Sequence, residues 1–198
     1  VCSADVKVKS EVKLAFEELF STFDKIDLAI LNAGTYQSVD CKTIDSDIFK
    51  HHMEVNYLGV IHSLEQIIPT MISQRRGHII IITSPTGWSG LPKAAAYGPT
   101  KSALKNLAQS LRYDLEPLGI KVQLFCPSFV ETESTPKGEH SLPGIISANK
   151  AANLIYHSLN SNSFENFIPN NYLIWVLYLL KFLPENLCYK LIKWRTGY

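Results

Sequence analysis

The sequence predicts an α/β fold built on a doubly wound parallel sheet, and three observations carry that prediction. Short apolar runs end in turn-forming residues. Stretches with apolar residues at helical spacing separate those runs. The 198 residues, 46% hydrophobic and 19% charged, match one ordinary globular core. Strands alternating with helices of this length make right-handed βαβ units, with the sheet covered on both faces.

The elements follow in order. Val1 to Val6 read as the end of a strand. Val12, Ala15, Phe16, Leu19, Phe20 and Phe23 recur at helical spacing, predicting an amphipathic helix from about Ser10, its N-cap, to Phe23. Ile26 to Leu31 is a buried strand that breaks into Asn32-Ala33-Gly34. Two helical stretches follow, one from about Ser46 and one through Tyr57 to Ser73, with Gly77 as the stop. His78 to Ile82 is the clearest buried strand. A helix over about Ala95 to Leu115 carries Leu104, Leu107, Leu111 and Leu115 on one stripe, ended by Pro117 and Gly119. Ile120 to Phe125 is a strand broken by Cys126-Pro127. Thr132 to Gly144 is polar and reads as a mobile loop. A helix over Ala148 to Leu159 and a short strand near Phe164 to Ile168 complete a domain of residues 1–170. Residues 171–198 form an apolar helical extension.

Charge and cysteine content exclude several classes. A net charge of +1 gives no polyanion-binding character, so nucleic acid is not expected as a partner. Cys2, Cys41, Cys126 and Cys188 are scattered, with no metal-type spacing. No secretory leader opens the sequence and no apolar run reaches the roughly 18 residues of a bilayer span, so the reading is cytoplasmic with reduced thiols.

In a parallel sheet of this kind ligands bind beyond the carboxyl ends of the strands. Three of those ends carry polar or turn residues: Asn32-Ala33-Gly34, Thr83-Ser84 and Pro127-Ser128. Each alone is a strand-terminating turn, and it is their convergence on one edge that points to a site. Tyr97 and Lys101, four apart on a helix, share a face. An ammonium beside a phenol favours the phenolate and lowers its pKa, which fits a general acid for carbonyl reduction or a base for alcohol oxidation. Taken singly the pair is also an ordinary exposed helix face.

These residues together resemble the short-chain dehydrogenase/reductase family. The resemblance rests on Asn32-Ala33-Gly34 after a strand, Asn56 in Val55-Asn56-Tyr57-Leu58-Gly59, Ser84, and Tyr97-Gly98-Pro99-Thr100-Lys101. Ser84 stands thirteen residues before Tyr97 with Gly87 between them. Asp5-Val6 resembles the pair that closes the family's third strand and touches adenine. Pro127 to Thr132 resembles the segment that holds the nicotinamide, with Ser128 where the family usually has Gly.

The resemblance implies a Rossmann-like sheet, NAD or NADP as cofactor, and hydride transfer between the nicotinamide and a ketone or secondary alcohol. Its catalytic residues carry over onto Asn56, Ser84, Tyr97 and Lys101. Tyr97 donates the proton, Ser84 binds the carbonyl oxygen, Lys101 lowers the Tyr97 pKa and holds ribose, and Asn56 positions a water. Cofactor contacts carry over onto Asp5, Val6, Asn32, Ala33, Gly34, Tyr97, Lys101, Pro127, Val130 and Thr132. Pro85, Trp88, Leu91 and Phe129 flank the substrate pocket. The family's Gly-rich pyrophosphate loop, and the residue that chooses between NAD and NADP, are expected upstream of Val1. The family's usual assembly implies a homo-oligomer, a dimer or tetramer, through the helices at Tyr57–Ser73 and Ala95–Leu115. Ile61, Ile67, Ile68 and Met71 supply apolar surface on the first.

Other reactive residue types have ordinary readings. His51-His52 is a solvated helix face with no third ligand, so no metal is expected. Cys126 is buried filler. The run Tyr172 to Leu180, followed by Lys181, Lys190, Lys193, Trp194 and Arg195, fits either a membrane surface or a pair of helices packed on the pocket or a neighbouring subunit. Both imply a small, apolar substrate. Two further classes stand beside the oxidoreductase: a non-catalytic scaffold on the same fold, and a membrane-associated interaction module.

Overall fold

The computed structural model describes residues 1–132 and 144–198. The expected mobile loop at Thr132 to Gly144 falls almost wholly outside the described residues. Four strands form one parallel sheet: β1 (Leu28–Leu31), β2 (Gly77–Ile82), β3 (Ile120–Pro127) and β6 (Glu165–Ile168), in the order β1-β2-β3-β6. Two short strands, β4 (Val130–Glu131) and β5 (Ile146–Ser147), pair separately. The helices are α1 (Lys9–Thr22), α2 (Ser46–Met53), α3 (Gly59–Gln74), α4 (Tyr97–Leu115), α5 (Ala148–Ser158), α6 (Tyr172–Leu180) and α7 (Glu185–Thr196).

The unbroken apolar run of β2 is explained by burial on both sides of the sheet. Ile79 and Ile81 join Val122, Leu124, Leu64, Met71 and Leu104 beneath α3 and α4. Ile80 and Ile82 point the other way, onto Phe125, Ile168 and Ala151 of α5. Burial of each such side chain stabilises the fold by about 1.5–3 kcal/mol. The pleat thus places a continuous core on each face. Register then brings the carboxyl ends of β1 and β2 close to level, with β3 reaching two residues beyond β2: Leu31 pairs with Ile81, and Ile82 with Phe125.

Several boundaries differ from the sequence-based expectation. Val1 to Val6 joins no strand ladder. Val6 instead lies against Gly59, and its carbonyl accepts from His62 Nδ1 at 2.9 Å. The first helix is capped from Val8 rather than by Ser10, with no side-chain cap bond, because the chain enters the helix two residues earlier. α2 and α3 are joined by a π-helical turn, Glu54–Leu58, with no break between them. Arg75, at φ 51°, ends α3, and Gly77 already belongs to β2. A Cβ at Gly77 would run into the Met71 side chain, so its role is close packing. β3 continues through Cys126 and Pro127, past the expected break. Ser128 donates to the Ile168 carbonyl at 2.8 Å, so Pro127 turns its nitrogen to the other side, where β2 has ended and no ladder bond is lost.

His52 is also not a solvated residue. It is fully buried, its Nε2 accepting from Gln37 N–H at 3.0 Å and its Nδ1 donating to the Ile48 carbonyl at 2.7 Å. The ring therefore ties α2 to the segment after β1, while His51 faces solvent. Of the apolar residues expected to pair between subunits, Ile67 and Met71 belong to the core. Cys126 is buried filler, as expected. Among the described residues no helix is long and apolar enough to cross a membrane.

Candidate active site

The site assembles at the carboxyl edge of the sheet from three strand ends and two helices. After β1, Asn32, Ala33 and Gly34 lie exposed. After β2, Ser84 caps a short 3₁₀ turn, Pro85–Gly87, its Oγ accepting from Thr86 N–H at 3.4 Å. The first turn of α4 brings Tyr97 and, one turn later, Lys101 to the same edge.

Asn56 is fully buried in the π turn, a distortion of helical winding that recurs at functional sites. Its amide clamps the segment after β1 in both directions. Oδ1 accepts from Thr35 N–H at 2.7 Å, and Nδ2 donates to the Thr35 carbonyl at 3.0 Å and to Thr100 Oγ1 at 3.1 Å. Thr100 in turn donates to the Tyr97 carbonyl at 2.7 Å. One side chain thereby fixes the β1 end relative to the start of α4. Gly34 sits against this clamp: a Cβ there would stand 3.4 Å from Asn56 Oδ1 and 3.7 Å from Lys101 Nζ.

Ser84 acts on the Tyr97 phenol from the end of β2, its hydroxyl drawing the phenol's pKa down. Tyr36 packs edge-on against the Tyr97 ring, with centroids 5.2 Å apart. Burial pushes the Tyr97 phenol up to about 12, with the Ser84 hydrogen bond opposing. This reverses the direction expected from a neighbouring ammonium. Lys101 Nζ stands 5.5 Å from the Tyr97 ring centroid and donates to the Ile82 carbonyl at 3.0 Å. Burial brings Lys101 itself down to about 8. Tyr97 is consequently a held proton, ready to be given. Burial likewise pushes the Cys126 thiol up, so it is no nucleophile.

The Lys101 shift makes a prediction about stability. Between pH 8 and its ordinary 10.5 the unfolded chain holds this proton and the folded chain does not. Stability therefore rises with pH across that window, and the cost of the buried ammonium is present in full below it. Comparison of urea midpoints for the wild type and Lys101→Met should show the wild type gaining by about 2–3 kcal/mol between pH 7.5 and 10. A constant difference between the two proteins would refute the buried charge.

The remaining expected residues divide into two groups. Val6, Asn32 and Ala33 line one groove of about 350 Å³ along β1, together with Gly59 and Val60. Asp5 is exposed at its margin, its carboxyl held low by the Lys7 N–H at 3.0 Å. Pro127 ends β3, Phe129 accepts from Ile146 N–H through its carbonyl at 3.0 Å, and Val130 pairs with Ile146 in β4. Thr132 follows as an exposed bend. Pro85 opens the 3₁₀ turn, and the Leu91 carbonyl accepts from Ala94 N–H at 3.2 Å. Trp88 is committed to packing: its ring meets Phe167 and Tyr178, and its Nε1 donates to Glu165 at 2.8 Å.

Thr35, Tyr36 and Thr100 were missed in the sequence. Thr35 and Tyr36 adjoin Gly34, and Thr100 lies inside the Tyr97–Lys101 segment, so neighbourhood alone could have found them. The bare Cα of Gly34, the Lys101 ammonium and the Val6–Ala33 groove fit the sugar and flat rings of a nicotinamide dinucleotide. Among the described residues no Gly-rich run opens a helix to cradle its pyrophosphate.

Residues 1–142 match the family model described as short chain dehydrogenase. An uncharacterized oxidoreductase of Staphylococcus epidermidis is 31% identical over 168 residues, covering 84% of this chain and 72% of its own length. The 3-dehydrosphinganine reductase of Danio rerio is 31% identical over 182 residues, 86% of this chain and 54% of that protein. Among solved structures, a gluconate 5-dehydrogenase from Burkholderia cenocepacia, in complex with NADP and tartrate, is 29% identical with a TM-score of 0.62. That match covers 65% of this chain and 51% of the dehydrogenase.

Proposed function

This chain belongs to the short chain dehydrogenase family of NAD(P)-dependent oxidoreductases, and from that premise we propose that it interconverts an apolar ketone and its secondary alcohol. The observation that carries the reading is Tyr97 at the sheet's carboxyl edge, with Lys101 Nζ 5.5 Å from its ring centroid and Ser84 at the adjoining strand end.

A nicotinamide dinucleotide, when bound, supplies the hydride for reduction or accepts it in oxidation. Lys101, Tyr97 and Asn32 to Gly34 would hold its ribose, Pro127, Val130 and Thr132 its nicotinamide end, and Asp5 and Val6 its adenine. In reduction Tyr97 gives its phenolic proton to the carbonyl oxygen, so that carbon gains hydride and oxygen gains a proton. A phenol held at about 12 keeps that proton at neutral pH until the oxygen becomes basic. Ser84 donates to the same oxygen and stabilises the charge that develops there. Lys101, neutral above about pH 8, would be the route by which Tyr97 regains a proton, and a water positioned at Asn56 would connect it to solvent.

Pro85, Leu91 and Phe129 would line the substrate pocket, and Trp88 would stiffen it through its packing on Phe167 and Tyr178. The Danio rerio relative is named a 3-dehydrosphinganine reductase, and the apolar tail packed on Trp88 supports an apolar substrate for this chain. Loss of reduced-nicotinamide absorbance with a panel of apolar ketones tests the reading. Failure of the natural full-length polypeptide to bind either nicotinamide, or to turn over any ketone or alcohol, would favour a scaffold on the same fold.

For assembly the proposal is a homodimer through α3 and α4. Ile61, Ile68, Leu107 and Leu111 are only partly buried in the single chain, and Ile72 is exposed. Light scattering at micromolar concentration should give twice the chain mass, and a monomer would overturn the assignment. The proposed location is the cytoplasm, at a membrane face.

A further inference from the structure

The last two helices leave apolar stripes uncovered. On α6 and the turn after it, Trp175, Val176, Leu179 and Phe182 recur at helical spacing and are 45–67% exposed. On α7, Leu187, Leu191 and Trp194 stand at i, i+4 and i+7, with Trp194 80% exposed. Cys188 is the buried residue of α7. Soluble monomers rarely leave apolar patches of this extent in water.

Charge indicates what covers these stripes. Residues 172–198 carry Lys181, Lys190, Lys193 and Arg195 against Glu185 alone, a net of +3. The chain totals +1, so the rest of it carries −2. An anionic surface attracts this end of the chain and repels the remainder, and a second copy would bring like charge against like. Basic heads stand over the aromatics: Lys181 Nζ lies 3.5 Å from the Tyr178 ring centroid, and Lys193 Nζ 5.8 Å from that of Tyr189. Interleaved aromatic and basic residues of this kind sit at the boundary between headgroups and acyl chains. α6, at 9 residues, rises only about 14 Å, half of the roughly 30 Å hydrocarbon core, so it lies along a bilayer and does not pass through it.

The same helices are fastened to the rim of the active site. Tyr178 of α6 packs on Trp88 at 5.1 Å, and Cys188 Sγ of α7 approaches Ser89 Oγ at 3.7 Å. Trp88 and Ser89 belong to the segment that joins Ser84 to Tyr97. Glu165 braces the contact, accepting from Trp88 Nε1 and from Lys105 Nζ at 2.9 Å.

We propose that the α6–α7 pair docks on an anionic lipid surface, placing the Ser84–Tyr97 segment of the candidate site where apolar substrates leave the bilayer. The substrate half of this rests on the oxidoreductase reading; the docking half does not.

Sedimentation of the natural full-length protein with vesicles tests it, using phosphatidylcholine alone and phosphatidylcholine with phosphatidylserine. The protein should partition onto the anionic vesicles and much less onto the neutral ones. Each basic residue at such a surface strengthens binding by about fivefold, so the triple variant Lys190→Gln, Lys193→Gln, Arg195→Gln should lose about a hundredfold. Leu191→Glu with Trp194→Glu should abolish binding and leave the circular dichroism spectrum and turnover of a water-soluble ketone unchanged. Absence of sedimentation overturns the proposal, as does equal binding by the double variant. So does a dimer that Leu191→Glu with Trp194→Glu dissociates, which would make the face a contact between copies. Vesicle binding without any turnover would keep the dock and fail the oxidoreductase reading, and turnover without vesicle binding would do the reverse.

Discussion

Tyr97→Phe should lower NAD(P)-linked turnover by about a thousandfold, with the fold intact. Only the phenolic oxygen is lost, and with it the proton that the carbonyl oxygen must receive; a positioned general acid contributes about 10²–10⁴ in rate. The ring stays. A Phe keeps the edge-on contact with Tyr36 at 5.2 Å and no longer buries a hydroxyl whose ionised form burial disfavours. The urea midpoint should move little, and nicotinamide affinity should fall by less than tenfold, since Lys101 and the Gly34 turn remain. Turnover near the wild-type rate, with a substrate the parent protein processes, would remove Tyr97 from the mechanism.

Gly87→Ala should cost about a hundredfold in turnover through displacement of Ser84. A Cβ at Gly87 would stand 2.9 Å from the Lys101 carbonyl carbon, 3.0 Å from its oxygen and 3.2 Å from Ser102 N. Those atoms are helix backbone. α4 cannot yield, because Leu104 and Ala108 on its inner face are locked into the core against β2 and β3. The 3₁₀ turn must therefore retreat, breaking the Ser102 Oγ bond to the Gly87 carbonyl at 3.0 Å and carrying Ser84 off the Tyr97 phenol. A misplacement of about 1 Å is enough for a loss of this size. Overpacking adds a stability loss of about 1–3 kcal/mol, measurable by urea unfolding. Turnover within a factor of two of the parent would mean that this contact does not position Ser84.

The two variants differ in how far the sequence anticipates them. Tyr97 and Lys101 are legible because four residues along a helix define one face without any reference to the rest of the chain. The same locality made α4 readable from its leucines, and β2 from an apolar run that needs cover on both sides. Gly87 was visible only as a residue between Ser84 and Tyr97; that it touches α4 backbone is a fact of packing. Asn56 was visible as part of a pattern, yet the π turn that aims it into the clamp on Thr35 has no signal in local spacing.

The misreadings share one cause. His52 looked solvated because its neighbours on α2 are polar, but the chain after β1 returns over it and supplies Gln37 as a donor. Val1 to Val6 looked like a strand because it is apolar and extended, but a strand needs a partner and here Val6 finds Gly59 instead. Lys101 was expected to depress the Tyr97 pKa; with its ammonium on the Ile82 carbonyl, desolvation outweighs that influence.

By itself, then, the sequence determined the alternation of strands and helices, the turns that end the strands, and the shared face of Tyr97 and Lys101, all of which depend on periodicities of two or 3.6 residues. Only the tertiary structure decided which carbonyl holds Lys101, which turn presses on α4, and that the basic, aromatic tail is moored on the segment that joins Ser84 to Tyr97. Those outcomes depend on burial and on contacts between residues far apart in the chain, such as Trp88 with Glu165 and Tyr178, and no local pattern encodes distance across a folded core.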